Sequence, residues 1–142
     1  MKVNTDLILK RIEEIEESIN KLKNYTSVSK EEFLKDKKNV DATKYQIIRA
    51  FEASFSICNH LCAKVLRKSP ATYSECFELL AENKIIPNNL GKKFANIAKF
   101  RNIIIHLYWE VDDNEVYRNV KNGYKDFQIF VKEIKKFIER NG

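Results

Sequence analysis

Apolar residues recur at steps of three and four along almost the whole of this 142-residue chain, and little interrupts them: three glycines, two prolines and no run of alternating apolar and polar residues. That period belongs to the α-helix, where residues three and four apart share a face, and it leaves no room for a sheet-based fold. Residues 4–24 gather Leu7, Ile8, Ile12, Ile15, Ile19 and Leu22 on one side. Ser29 with Glu32 makes a capping box for a short helix holding Phe33 and Leu34. Asp41 opens the next long helix, over about residues 42–67, with a ridge from Tyr45 and Ile48 to Cys62 and Val65 and an end at Ser69-Pro70. Thr72 or Ser74 caps a short helix, and Ile86-Pro87 turns the chain into a long one over residues 88–108. A brief helix over 113–121, a break at Gly123 and a last helix over 124–140 complete the expectation. The predicted fold is an all-α, up-and-down bundle of four main helices plus short auxiliary ones, forming one domain over residues 1–142.

Composition excludes several classes. With 44% hydrophobic and 32% charged residues, the chain has the material for a packed core and is not of disordered type. No apolar run approaches a membrane span, and the start at Met1-Lys2-Val3 lacks the apolar centre of a signal peptide, so a cytoplasmic protein without membrane attachment is expected. Cys58, Cys62 and Cys76 are an odd set without a CxxC pair. With two histidines in the chain they offer no zinc-ligand pattern, and they read as small buried hydrophobes, with neither metal nor cofactor expected.

One position breaks the pattern. Followed backwards, the ridge of the helix over 88–108 runs Tyr108, Ile104, Arg101, Ile97, Phe94 and Leu90, so a cation falls where the period calls for a buried side chain. An ionic group in that place needs a partner, and the fork of arginine suits carboxylates and phosphates. A carboxylate from Glu52 or Glu110 would make it an ordinary buried ion pair. The surrounding charge fits either a polyanionic ligand or a solvated lysine face. No Asp or Glu occurs from Asn83 to Trp109, while Lys92, Lys93 and Lys99 accompany Arg101 as candidate contacts to RNA.

His106 follows Arg101 by five residues and belongs to the polar row of Lys92, Asn96, Lys99 and Asn102. A histidine on a polar face can carry a proton near neutrality, and an arginine can hold the extra charge of a pentacoordinate phosphorane. RNA brings its own nucleophile in the 2′-hydroxyl, so Arg101 and His106 could cleave it without a metal, leaving a 2′,3′-cyclic phosphate and a 5′-hydroxyl. Five residues place the two side chains about 140° apart around a helix. Arg101 must therefore reach around, or a second subunit must complete the pair. Asn102 could hydrogen-bond the imidazole or a phosphate, and Tyr108 could donate a hydrogen bond, stack a base or accept a modification. Phe100, Ile103, Ile105, Leu107 and Trp109 lie off the main ridge and give this helix a second apolar side, which predicts a homodimer. The alternative is a non-catalytic helical module in which Arg101 clamps a nucleotide phosphate and the chain regulates a nucleotidyltransferase.

The sequence Arg101-Asn102-x3-His106-x-Tyr108 at the end of an apolar helix resembles the HEPN superfamily, and within it the HepT-like toxins of HEPN/MNT toxin–antitoxin pairs. Tyr45-xxx-Arg49-xx-Glu52, Thr72 to Phe77, Lys84-Ile85-Ile86-Pro87, and Val111-Asp112 to Val116-Tyr117 resemble family segments in corresponding places, so the likeness spans nearly all of residues 4–140. It implies a HEPN-like bundle that dimerises with its two motifs facing a shared cleft. It also implies metal-independent endoribonuclease activity of the type II or VII toxin kind, with Arg101 and His106 essential and Asn102 assisting. The implied partner is a minimal nucleotidyltransferase antitoxin that neutralises the toxin, in such pairs by transferring AMP to the tyrosine at Tyr108.

Overall fold

The computed structural model describes residues 3–141, so Met1, Lys2 and Gly142 of the expected domain lie outside the described residues. Every long element is a helix: α1 (Thr5–Tyr25), α3 (Lys37–Leu61), α5 (Asn88–His106) and α6 (Asp113–Asn141), with short α2 (Lys30–Lys35) and α4 (Tyr73–Glu82) between them. No strand occurs among the described residues, and no helix among them is long and apolar enough to cross a membrane. Helix α1 lies along α3, α4 lies along α5, and α6 packs on α1 and α3.

Helix starts follow local chemistry. Asn4 accepts a hydrogen bond from the Leu7 amide, Ser29 from Glu32, and Thr72 from Glu75, each satisfying an otherwise orphaned N–H of a first turn. Helix α3 starts earlier than expected because Asp36, rather than Asp41, is the cap, accepting from the Asn39 amide at 3.2 Å. Its buried side also differs from the expected ridge. Tyr45 is 61% exposed, and the face turned inward carries Thr43, Gln46, Ile47, Ala50, Ser54 and Ile57. Small residues there let α1 approach closely, and Ser18 donates to Gln46 at 2.9 Å inside the contact. The helix also ends sooner. A π turn over Cys62–Leu66 follows Leu61, and Arg67 in the left-handed region (φ 56°) closes it ahead of Pro70.

The expected break at Gly123 is absent: α6 runs unbroken through it. A glycine costs a helix about 1 kcal/mol, which the buried row Val116, Val120, Phe127, Phe130, Val131 and Ile134 outweighs. The interior divides into two clusters. The larger joins α1, α3, α4, α5 and the second half of α6 around Phe77, Phe94 and Phe130, with Phe77 and Phe94 stacked at 4.7 Å. The smaller holds Leu22, Phe33, Val40, Ile47, Ile104, Val116 and Val120 and lies beneath the end of α5.

Candidate active site

Helix α5 is seated by Leu90, Gly91, Phe94, Ala98 and Ile104, its buried residues. Gly91 is there for closeness: a Cβ on it would come within 2.9 Å of the Cβ of Ala81 and 3.4 Å of the Phe77 carbonyl oxygen, so the backbone of α5 lies directly against α4. That contact fixes where Arg101 emerges, nearly three turns further on.

Arg101 does sit on the inward ridge, its side chain only 12% exposed. Of the two carboxylates that sequence reasoning left open, Glu52 is its partner, with Oε1 at 2.7 Å from Nη2. The two are close without being aligned, since Glu52 Oε1 and Arg101 Nε are both buried with no hydrogen-bond partner. The guanidinium lies 4.9 Å from the centre of the Tyr73 ring and donates from Nη1 to Asn102 Oδ1 at 2.9 Å. The arginine is thus supported from three sides by α3, α4 and its own helix. Asn102 serves the arginine here; no hydrogen bond to the imidazole is present among the described residues.

His106 is the last residue of α5 and is exposed. The helix stops two residues sooner than expected: Leu107 leaves helical geometry (φ −130°, ψ 44°), and Tyr108–Glu110 form a 3₁₀ turn. The ridge therefore ends at Ile104. Tyr108 is 70% exposed and Trp109 67%, their rings edge to face at 5.2 Å.

The three candidate lysines separate. Lys99 and Asn102 line an open cleft of about 430 Å³ together with Phe55, Pro70, Thr72 and Tyr73, the ring beneath Arg101. Lys93 lies on the opposite flank, paired with Asp126 at 3.4 Å, and Lys92 is exposed. The absence of acids along residues 83–109 is thus partly offset in space by Glu52 and Asp126 from other helices. The acidic run after Trp109 has structural work. Asp113 pairs with Lys44 at 3.0 Å and Lys37 at 3.8 Å. Asp112 accepts from the side chain and backbone N–H of Asn114, which hold its carboxyl below the usual range.

Sequence reasoning missed Tyr73 as part of this arrangement. Its sequence signals were the cap at Thr72, which places Tyr73 in the first turn of α4, and its place in the Thr72–Phe77 segment. The three cysteines are buried as expected, but Cys76 joins Cys58 and Cys62 from a different helix, a convergence that linear spacing did not reveal. Chemically, the arrangement offers a supported cation, its Nε–H unpaired but buried, and an exposed imidazole five residues further along the chain.

Comparison with known proteins gives a consistent result. A tRNA nuclease HepT of Aphanizomenon flos-aquae is 23% identical over 132 residues, covering 93% of this chain and 90% of that protein. An mRNA nuclease HepT of Shewanella oneidensis is 27% identical over 130 residues, covering 92% and 97%. The solved structure of a tri-AMPylated Shewanella oneidensis HEPN toxin in complex with its MNT antitoxin superimposes with a TM-score of 0.86 at 27% identity, covering 92% of this chain and 98% of that one. Residues 15–134 match the family described as ribonuclease HepT-like, and the chain belongs to that family.

Proposed function

We propose that this chain is the toxin of a HEPN/MNT-type pair, a metal-independent endoribonuclease acting in the cytoplasm as a homodimer. The observation that carries the reading is Arg101: a cation held on a buried ridge by Glu52, Asn102 and Tyr73, with Nε unpaired, five residues before an exposed histidine. A purely structural ion pair has no need of the second feature, and relatives of nearly the same length are named as RNA nucleases.

In this reading Arg101 binds the non-bridging oxygens of the scissile phosphate and stabilises the charge gained as the 2′-oxygen attacks. The 2′-hydroxyl loses its proton, the bond to the 5′-oxygen breaks, and that oxygen leaves as a 5′-hydroxyl beside a 2′,3′-cyclic phosphate. His106 is the proton carrier at this centre. Lys99 and the cleft beside Asn102 receive the neighbouring backbone. Single-stranded or loop RNA is the fitting substrate, because in-line attack needs a nucleotide free to rotate.

The partner is a nucleotidyltransferase antitoxin that uses Tyr108 as acceptor. The phenolic oxygen attacks the α-phosphorus of ATP, pyrophosphate leaves, and a phosphodiester-linked AMP remains close to His106. Its negative charge and bulk would compete with RNA for the cation. Half-buried Ile103 and Ile105, with exposed Leu107 and Trp109, give the second copy an apolar seat on the motif helix.

The test uses chain expressed without antitoxin and confirmed unmodified by intact mass. Wild type should cut RNA to cyclic-phosphate ends, and His106→Ala and Arg101→Ala should each lower the rate by at least about a hundredfold, the usual minimum for a proton-transfer group and for a stabiliser of transition-state charge. Co-expression with the antitoxin should add AMP mass to wild type and none to Tyr108→Phe. Unmodified chain that leaves RNA intact, harms no cells and still binds its partner after His106→Ala would replace this reading with the regulatory module.

A further inference from the structure

The three cysteines lie outside the machinery described above, and the fold gathers them from two helices. Cys58 belongs to the last turn of α3, Cys62 begins the π turn one helical turn later, and Cys76 comes from the first half of α4. The sulfur of Cys76 is 2.7 Å from that of Cys58 and 3.7 Å from that of Cys62, and all three fall within 4.8 Å of one another. None is exposed to solvent, and all three are free thiols. Ordinary apolar side chains would fill this space equally well, whereas three sulfurs concentrate soft lone pairs at one point inside a hydrocarbon wall.

We propose that Cys58, Cys62 and Cys76 form a three-coordinate thiolate site for a soft, closed-shell monovalent metal ion, copper(I) being the biological example. Donor type selects softness, because sulfur-only sets favour such ions over hard ones. Donor number selects against zinc, which closes a structural site with four ligands. No His, Asp or Glu among the described residues joins the cluster, and His60 on the same helix already uses Nε2 to accept from the Asn4 amide. Because the thiolate is the ligand, binding releases the thiol protons to solvent, so loading should tighten as pH rises.

The geometry is near what such an ion needs. A metal–sulfur bond of about 2.3 Å puts the corners of a trigonal site about 4 Å apart. Cys62 and Cys76, at 3.7 Å, are almost there, while Cys58 and Cys76, at 2.7 Å, must move apart to admit the ion. The location ties the site to the rest of the molecule. Tyr73 lies one turn before Cys76 on α4, and Glu52 six residues before Cys58 on α3, so a metal joining these helices fixes the two supports of Arg101.

The experiment titrates reduced, full-length chain under nitrogen with copper(I) supplied as its acetonitrile complex, against a colorimetric copper(I) chelator. The expected result is one copper per chain by native mass spectrometry and thiolate-to-copper absorption in the near ultraviolet. Affinity should fall at least about a hundredfold in Cys76→Ser and in Cys62→Ser, since loss of even an outer-shell partner costs ten- to a hundredfold. Copper(I) held no better by wild type than by these variants overturns the proposal, as does zinc(II) binding in preference to copper(I). Should the variants lose their helical circular dichroism, maleimide alkylation of native wild type decides. Slower alkylation on copper loading supports the site, and an unchanged rate overturns it.

Discussion

At the scale of single residues, the helical period identified Arg101 as displaced but not what it faces. A period reports the side of its own helix on which a residue lies, while the partner depends on how two helices are laid together. Glu52 and Glu110 were therefore equivalent in the sequence and are not in space. The same blindness hid Tyr73 beneath the guanidinium and Cys76 beside Cys58. Because Glu52 holds Arg101 while remaining 40% open itself, Glu52→Gln should cost about 1–2 kcal/mol, less than the loss of a fully buried pair. In the ribonuclease reading, kcat should fall about tenfold with KM for RNA little changed, since the cation is still present but poorly held. Urea unfolding and initial rates on the same preparation check both. An unchanged kcat would show that the carboxylate merely neutralises the arginine.

The helices themselves were largely legible, because amphipathic period and capping residues act locally. Their limits were not, where tertiary packing outweighed a local signal. Gly123 reads as a break and is an interior helical residue. A Cβ there would meet nothing nearer than Asp126 Oδ2 at 3.9 Å, and its φ is negative. Gly123→Ala should therefore stabilise the protein by about 0.5–1 kcal/mol. Gly91→Ala, pressed against Ala81, should destabilise it by about 1–3 kcal/mol. Opposite shifts in the urea midpoint are the expected pair, and shifts of the same sign would contradict the packing described. A second contact between elements depends on pH. His60 accepts from the Asn4 amide at the start of α1, and burial, aided by the charge of Lys64, lowers its pKa below the ordinary 6.5. The unfolded chain then takes up a proton more readily than the folded one. Stability should be independent of this group above that value and decline as pH falls from about 6.5 toward the folded pKa. Thermal melts across that range should show the decline, and His60→Gln, which keeps an acceptor, should flatten it.

For the molecule as a whole, the all-α class followed from period and scarce breakers, whereas the seat proposed for a second copy rests on apolar residues left over. The end of α5 explains part of the difficulty: Leu107 breaks the helix, so the side chains beyond it do not continue its faces. If two chains share one cleft, inactive Arg101→Ala and His106→Ala proteins mixed and allowed to exchange subunits should recover part of the RNA cleavage, because mixed pairs carry one intact arginine and one intact histidine across the seam. Recovery at the mass of a dimer by light scattering is the expected outcome, and permanent silence of the mixture would place each active pair within one chain. The turn after α5 also holds the only tryptophan of the sequence, Trp109, exposed and three residues from His106. The protein consequently carries its own optical probe at one end. Whatever settles over His106, whether nucleic acid, antitoxin or a second copy, changes the polarity around a single indole, while events at the far end of the bundle leave that emission untouched.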